Sequence, residues 1–295
     1  MRQWLLKKLI RYLSFKVTPK KDFLCDFDRA LHEIRPADII LVEGRSRFSR
    51  IIKNITQSPW THAALYVGRL HDIEDVKVRE DVMKLYQGNP NEKLIIESFP
   101  GMGTVIRSIR VHKSEHIRIC RPTGLDHRDA QKVIQFAAEH IGNPYDIRHV
   151  FDLARFYLSS IFIPARWQSV LFNYKPNQTT KDVCSVLIAD AFASIKFPVL
   201  PLIREDKKHH LEIIRRNPWL CTPCDFDYSP YFDIIKYPMI PSHKGTHYKN
   251  LPWREDLISN DDVGIYAHET TKKPKSTKKT KNAKSTKKNK ITPAQ

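Results

Sequence analysis

Five short apolar runs between residues 38 and 121 constrain the fold of this chain more than any other feature. They lie near 38–43, 61–68, 93–98, 104–111 and 116–121. Each has the length of a strand and is rich in Ile, Val or Leu. The second, Thr61 to Gly68, places Ala63, Leu65 and Val67 on one face and His62, Ala64, Tyr66 and Gly68 on the other. Elsewhere the spacing is helical. Phe48, Ile51, Ile52 and Ile55 stay in register over about 46–56, and Val133, Ile134, Ala137 and Ile141 share a face over 127–141. The polar stretch 71–92 reads as a helix-containing excursion ended by Gly88-Asn89-Pro90. Val183 to Ala189 reads as the start of a buried helix running to about Ile195, and a charged helix is expected over 205–216. The fold class is α+β: a small antiparallel sheet or half-barrel packed on the helix that carries Cys184.

Charge divides the chain into parts. The formal net charge is +18, yet residues 1–21 hold seven Lys or Arg and 270–295 hold ten Lys, with no acid in either stretch. That leaves +1 for everything between. A near-neutral body with basic ends is not a nucleic-acid-binding fold, and the Lys-rich tail has no aromatics for base stacking, so nucleic acid is not an expected partner. Residues 1–15 set Trp4, Leu5, Leu9, Tyr12 and Leu13 at helical spacing among Arg2, Lys7, Lys8 and Arg11. This suits a basic amphipathic helix lying on an anionic membrane, or one docked on the body. The organisation expected is a basic amphipathic segment over 1–21, a folded domain over 22–269 and a disordered Lys-rich tail over 270–295. Within the domain, 150–172 is unusually apolar and aromatic, and suits either a buried helical pair or the wall of a lipid pocket. Arg155, Pro164 and Arg166 interrupt it, and no run approaches the ~18 apolar residues of a membrane span. Lys7, Lys8 and Arg11 argue against a signal peptide. Five irregularly spaced cysteines do not form a disulfide framework. The location expected is therefore cytoplasmic, with peripheral membrane contact as an open alternative.

Three residues stand where chemistry could occur. Cys184 opens its helix after Thr179, Thr180 and Asp182, which are candidate N-caps. Free N–H groups and the helix dipole there favour a thiolate and could hold an oxyanion, although Asp182 would oppose the thiolate. His62 opens one strand, and Glu97 closes the run Leu94-Ile95-Ile96 on another. A carboxylate beside so apolar a run needs a partner, and a histidine on a neighbouring strand would supply one and take a fixed tautomer in return. Cys184, His62 and Glu97 can thus form a Cys-His-Glu triad. Cys221-Thr222-Pro223-Cys224 has no second cysteine pair and points to neither a zinc site nor a redox site.

These motifs together resemble the permuted papain-like cysteine hydrolases, the YiiX/YaeF group related to the NlpC-type peptidases. Pro36-Ala37-Asp38-Ile39-Ile40-Leu41 is similar to the family's G-D-I-I strand, and Thr61 to Gly68 to its S-H-V-G-I-Y-V-G segment. Glu97-Ser98, Gly142-Asn143-Pro144-Tyr145-Asp146, Cys184-Ser185-Val186-Leu187 and Thr222-Pro223-Cys224-Asp225 follow in the family's order. Ala37 stands where the family has Gly, and Val186 where it has Glu. The resemblance implies a permuted papain-like (NlpC-like) fold over 22–269, with Cys184 as nucleophile, His62 as general base, Glu97 as orienting acid and Tyr145 lining the site. It also implies a cysteine hydrolase that needs no metal or cofactor and acts on a peptide or acyl-lipid substrate. Two alternatives stay open: a lipid acyl hydrolase or acyltransferase at a membrane surface, and a non-catalytic adaptor. The surface contact, if made, would use residues 1–15 and the tail.

Overall fold

The computed structural model describes residues 25–146, 183–205, 209–238, 240, 251–254, 257–259 and 265–267. The expected features at 1–21, 150–172 and 270–295 lie outside these residues. A six-stranded antiparallel sheet organises the larger unit. Its strands are β1 (Ile39–Glu43), β2 (His62–Gly68), β3 (Leu94–Phe99), β4 (Gly103–Ser108), β5 (His116–Pro122) and β8 (Phe232–Ile235), in the order β4-β3-β2-β1-β5-β8. Among the described residues, the α-helices of this unit are α1 (Phe27–Glu33), α2 (Arg47–Thr56), α3 (Val76–Leu85), α4 (His127–Glu139), α5 (Cys184–Ser194) and α6 (Pro223–Tyr228). A hairpin of β6 (Leu202–Glu205) and β7 (Leu211–Ile214) stands outside the main sheet. The second unit, Ser242–Gln295, contains the hairpin β9 (Leu257–Ser259) and β10 (Ile265–Ala267).

Both faces of the sheet are covered. On one, Ile39, Leu41, Ala63, Leu65, Leu94 and Ile96 share a core with α4 and α5. On the other, Ile40, Ala64, Tyr66, Ile95 and Ile119 pack with Phe27, Ala30 and Leu31 of α1. Every residue of β2 is consequently buried. Two buried faces also fix the register, because a slip of one residue would exchange two sets of matched side chains. Truncating one such Leu or Ile to Ala costs roughly 2–5 kcal/mol.

Three expectations need correction. The strand expected over 104–111 ends at Ser108, whose hydroxyl accepts from Arg110 N and turns Ile109–His112 into a 3-10 turn. The segment expected as a charged helix over 205–216 holds the β6–β7 hairpin instead. Leu211 and the β-branched pair Ile213 and Ile214 favour strand, and His209 takes a left-handed φ of 61° near the turn. The N-cap of α5 is Val183, with no side-chain hydrogen bond, rather than one of the hydroxyl or carboxylate residues before it. The stretch Trp219 to Tyr237, for which no element was expected, holds α6 and the sixth strand of the sheet, β8.

Two motif positions acquire a physical reason. Ala37 sits at φ 68°, a region glycine enters without strain, which accounts for the family's Gly there. Its neighbour Asp38 is buried and ion-paired with Arg121 at 2.7 Å.

Candidate active site

The site lies where β2, β3 and the start of α5 meet. On β2 and β3, His62 and Glu97 both point to the face that carries Ala64 and Ile95, the two strands being in antiparallel register through Leu65↔Ile96 and Tyr66↔Ile95. Glu97 Oε2 accepts from His62 Nε2 at 2.8 Å. That leaves the other ring nitrogen of His62 for Cys184, which hydrogen-bonds to the imidazole from the first turn of α5. Backbone groups of Ala63 and Ser185 also hydrogen-bond to the sulfur. The uncapped start of α5 therefore gives its first-turn N–H groups to the site and not to a capping side chain. The Phe99 ring packs at a tilt beside His62, its centroid 4.2 Å from that of the imidazole, and limits how the ring can turn.

The electrostatics follow from burial and charge pairing. Burial pushes the Cys184 thiol up, but the charge and hydrogen bond of His62, followed by the Ala63 and Ser185 backbone, outweigh it and bring the thiol below its ordinary value. Burial opposes charge on His62, yet the sulfur and then Glu97 push the imidazole up to about 10. Burial would also raise Glu97, but His112 and then His62 hold its carboxyl well below the usual range. These opposed shifts describe a thiolate–imidazolium pair backed by a carboxylate.

Tyr145 reaches the same place by a different route. Gly103, at φ 78°, lets the Asn143 carbonyl come so close that an added Cβ would meet its oxygen at 2.3 Å. Thr104 N donates to Asn143 O at 2.8 Å, and Gly142 N donates to Thr104 O at 2.9 Å. The Gly-Asn-Pro-Tyr-Asp segment is thus tied to the start of β4 by its backbone. Tyr145 then packs against the cluster of Ile52, Val183, Cys184 and Val186, with Phe48 edge-on to its ring. Burial raises its phenol well above the ordinary value, and the nearby Cys184 adds to that. Val186 belongs to the same apolar cluster, so the departure from Glu leaves the thiol beside a dry wall and not beside a second carboxylate.

The four expected site residues are therefore together, and three charged residues absent from that expectation join them. Arg107, on β4, pairs with Glu97 Oε1. His112 donates from Nε2 to Glu97 Oε2 at 2.8 Å, and from Nδ1 to Glu115 Oε2 at 2.6 Å. The sequence signal for the last pair is the spacing His-x-x-Glu directly after an apolar run. His62, Glu97 and His112 bring three metal-ligating atoms within 4.8 Å of one another. The set does not fit a resident cation in this arrangement. Glu97 Oε2 is already shared by two imidazoles, Oε1 faces a guanidinium, and the other His62 nitrogen faces the thiol.

Cys221 and Cys224 are free thiols. Thr222 N-caps α6, and Asp225 returns the bond to Thr222 N at 2.7 Å, so the Thr-Pro-Cys-Asp motif is a capping box.

Comparison with known proteins agrees with the motifs. The curated proteins give no match. Among solved structures, the chain is similar to one titled as the metalloprotein yiiX from Escherichia coli O157:H7. The identity is 14%, the TM-score is 0.42, and 69% of this chain and 97% of that chain are covered. Residues 33–169 match the family model described as permuted papain-like amidase enzyme, YaeF/YiiX, C92 family. The match contains His62, Glu97 and Tyr145 and stops short of Cys184, whose place beside His62 comes from the fold. Over residues 33–169, then, the chain is similar in sequence to the permuted papain-like amidases, the YaeF/YiiX group or C92 family.

Proposed function

We propose that this protein is a thiol-dependent hydrolase that opens an amide, ester or thioester bond through an acyl-enzyme on Cys184. The observation that carries the reading is the buried contact of Cys184 with His62, itself held by Glu97. The Cys184 thiolate attacks the carbonyl carbon, and the carbonyl electron pair moves to oxygen. The N–H groups of the first turn of α5 are suited to hold that oxyanion. When the tetrahedral species collapses, the bond to the leaving group breaks and His62 gives it a proton. Neutral His62 then takes a proton from water, the hydroxide adds to the thioester, and acid is released as Cys184 returns to thiolate and His62 to imidazolium. Glu97 keeps the imidazole in one tautomer and stabilises its charged form. Tyr145 supplies part of the apolar wall against which an acyl group would rest.

A second reading, a lipid acyl hydrolase or acyltransferase at a membrane surface, is favoured by the β6–β7 hairpin. Its Leu202, Ile203, Leu211 and Ile213 are all exposed, Leu211 at 76%. Residues 1–15 and the Lys-rich tail would add electrostatic attraction to anionic lipid, at roughly 1 kcal/mol per basic residue near the surface before screening. Wild type and Cys184→Ala, each assayed on peptide amides and on acyl lipids in vesicles, test both readings. Turnover of either class that the alanine variant loses supports the thiol mechanism, and the class turned over decides between the two. Equal turnover by both proteins would reject Cys184 as nucleophile.

A further inference from the structure

Beyond the expected triad lies a second buried pair that the mechanism above does not use. His112 is 2% exposed and Glu115 7%. Both ring nitrogens of His112 meet carboxylate oxygens, Glu97 at 2.8 Å and Glu115 at 2.6 Å. With both carboxylates ionised, and so only able to accept hydrogen bonds, both nitrogens carry a proton and His112 is an imidazolium. Its place is set by its own turn, because Ser108 caps the 3-10 turn ending at His112, and Glu115 N donates to His112 O at 3.0 Å. The groups facing it are Glu97 from β3, His62 from β2 (ring centroids 5.9 Å apart) and Glu115 from its own turn. Arg107 of β4 lies on the far oxygen of Glu97.

We propose that His112, clamped between Glu97 and Glu115, is a positioning residue of the thiol site. It fixes the carboxylate that turns His62 toward Cys184. The proposal rests on the thiol-hydrolase reading, and it makes Cys184, His62, Glu97, His112 and Glu115 one continuous hydrogen-bonded row. With Arg107 counted, three cations face three anions, which is how a buried charged cluster meets its desolvation cost. Glu97 Oε2 is held from two sides by imidazoles at equal distance, so the carboxylate cannot rotate toward one without leaving the other. His112 holds Glu97 directly, and Glu97 carries the effect to His62 and the thiol.

The test compares two double variants with the same charge change in the full-length protein. In His112→Gln/Glu115→Gln, the longer amide can still reach Glu97 and accept from the new Gln. In His112→Asn/Glu115→Gln, the amide can reach position 115 but is too short for Glu97. The readout is the rate of Cys184 alkylation by iodoacetamide as a function of pH, followed by peptide mass spectrometry, with thermal melts confirming the fold. The Asn variant is expected to alkylate roughly tenfold more slowly near neutral pH, with its rise displaced by about one unit to higher pH. The Gln variant should stay within about threefold of wild type. Wild-type profiles for both variants would reduce His112 to a packing role, and equal displacement of both would leave only its charge; each result overturns the proposal. A wild-type Cys184 that labels no faster than the other four cysteines would instead remove the thiol reading, and this inference with it.

Discussion

Two helix starts in this protein carry cysteines, and only one holds its thiol below the ordinary value. Cys184 opens α5, which has no side-chain cap. Cys224 lies in the first turn of α6, which has a complete capping box from Thr222 and Asp225. The segments touch, since Ser185 Oγ donates to Cys221 O at 2.6 Å. Yet the Cys184 thiol is lowered while that of Cys224 is raised. Burial raises both. At Cys184 the imidazole of His62 reverses the effect; at Cys224 the hydrogen bond from Thr222 does not, and the charge of Asp225 adds to the rise. A helix dipole is common to the two sites and so cannot be what separates them. The sign of the nearest side chain does that, and a cap that satisfies the first-turn N–H groups also takes them away from any reacting oxygen.

The comparison breaks most sharply by deleting each sulfur in turn. Cys184→Ala should lower turnover at least roughly 10³-fold, whereas Cys224→Ser should stay within about twofold of wild type. Steady-state rates on whichever substrate class responds decide this, and similar losses in both would mean that the two helix starts share the chemistry.

Next in size is Glu97→Gln. The amide can still orient His62 but cannot stabilise the imidazolium, so kcat should fall by roughly 10²-fold, and the melting temperature should fall as well because His62, His112 and Arg107 lose their shared buried carboxylate. A variant as fast as wild type would leave His62 alone responsible for the difference between the cysteines.

The pH profile sharpens the same point. The lowered thiol and the raised imidazole bracket a window in which thiolate and imidazolium coexist. Alkylation of Cys184 should begin below the ordinary thiol range, and turnover should decline as pH passes the His62 value of about 10. Cys221 and Cys224, both raised, should label only at higher pH. At neutral pH the ratio of Cys184 to Cys224 labelling should be roughly tenfold or more. Stability carries a related signature. Glu97 is depressed in the folded protein, so its contribution is present above the unfolded carboxylate value and is lost as pH falls through its folded value. His62 is raised, so its contribution is full below the unfolded imidazole value and is lost as pH rises toward about 10. Melting temperatures across pH should therefore fall at both extremes, and a flat alkaline side would show that His62 is not charged at neutral pH.

The smallest effect belongs to the second helix start. Asp225→Ala removes one half of the capping box and should cost about 1 kcal/mol by chemical denaturation, leaving Cys184 labelling unchanged.

How much of this could be read from the chain depended on what each residue's partners were. β1, β2 and β3 were legible because their apolar runs are short and bounded, and His62 and Glu97 stood out as the polar residues at the ends of such runs. β4 was overextended since Ile109 and Val111 continue the apolar pattern, and only the Ser108 cap breaks it. His112 escaped notice because it follows that run directly and is itself followed by the polar residues Lys113, Ser114 and Glu115. The β6–β7 hairpin was hidden by its charges. Local composition there suggested a helix, and the pairing of Ile203 with Ile213 is a contact that no single segment announces. β8 owes its existence to β5, more than a hundred residues upstream, which explains why the stretch around it offered only prolines and aromatics to the eye.

The place of β8 at the rim of the sheet has a consequence for any shortened form of the protein. Its four residues cover one side of β5 from Ile119 to Pro122. A chain cut before residue 232 would still contain all the reactive groups. It would also leave the backbone N–H and C=O groups of β5 as a bare margin, open to pairing with a second molecule. Fragments that end after α5 are thus predisposed to self-association, however complete their chemistry.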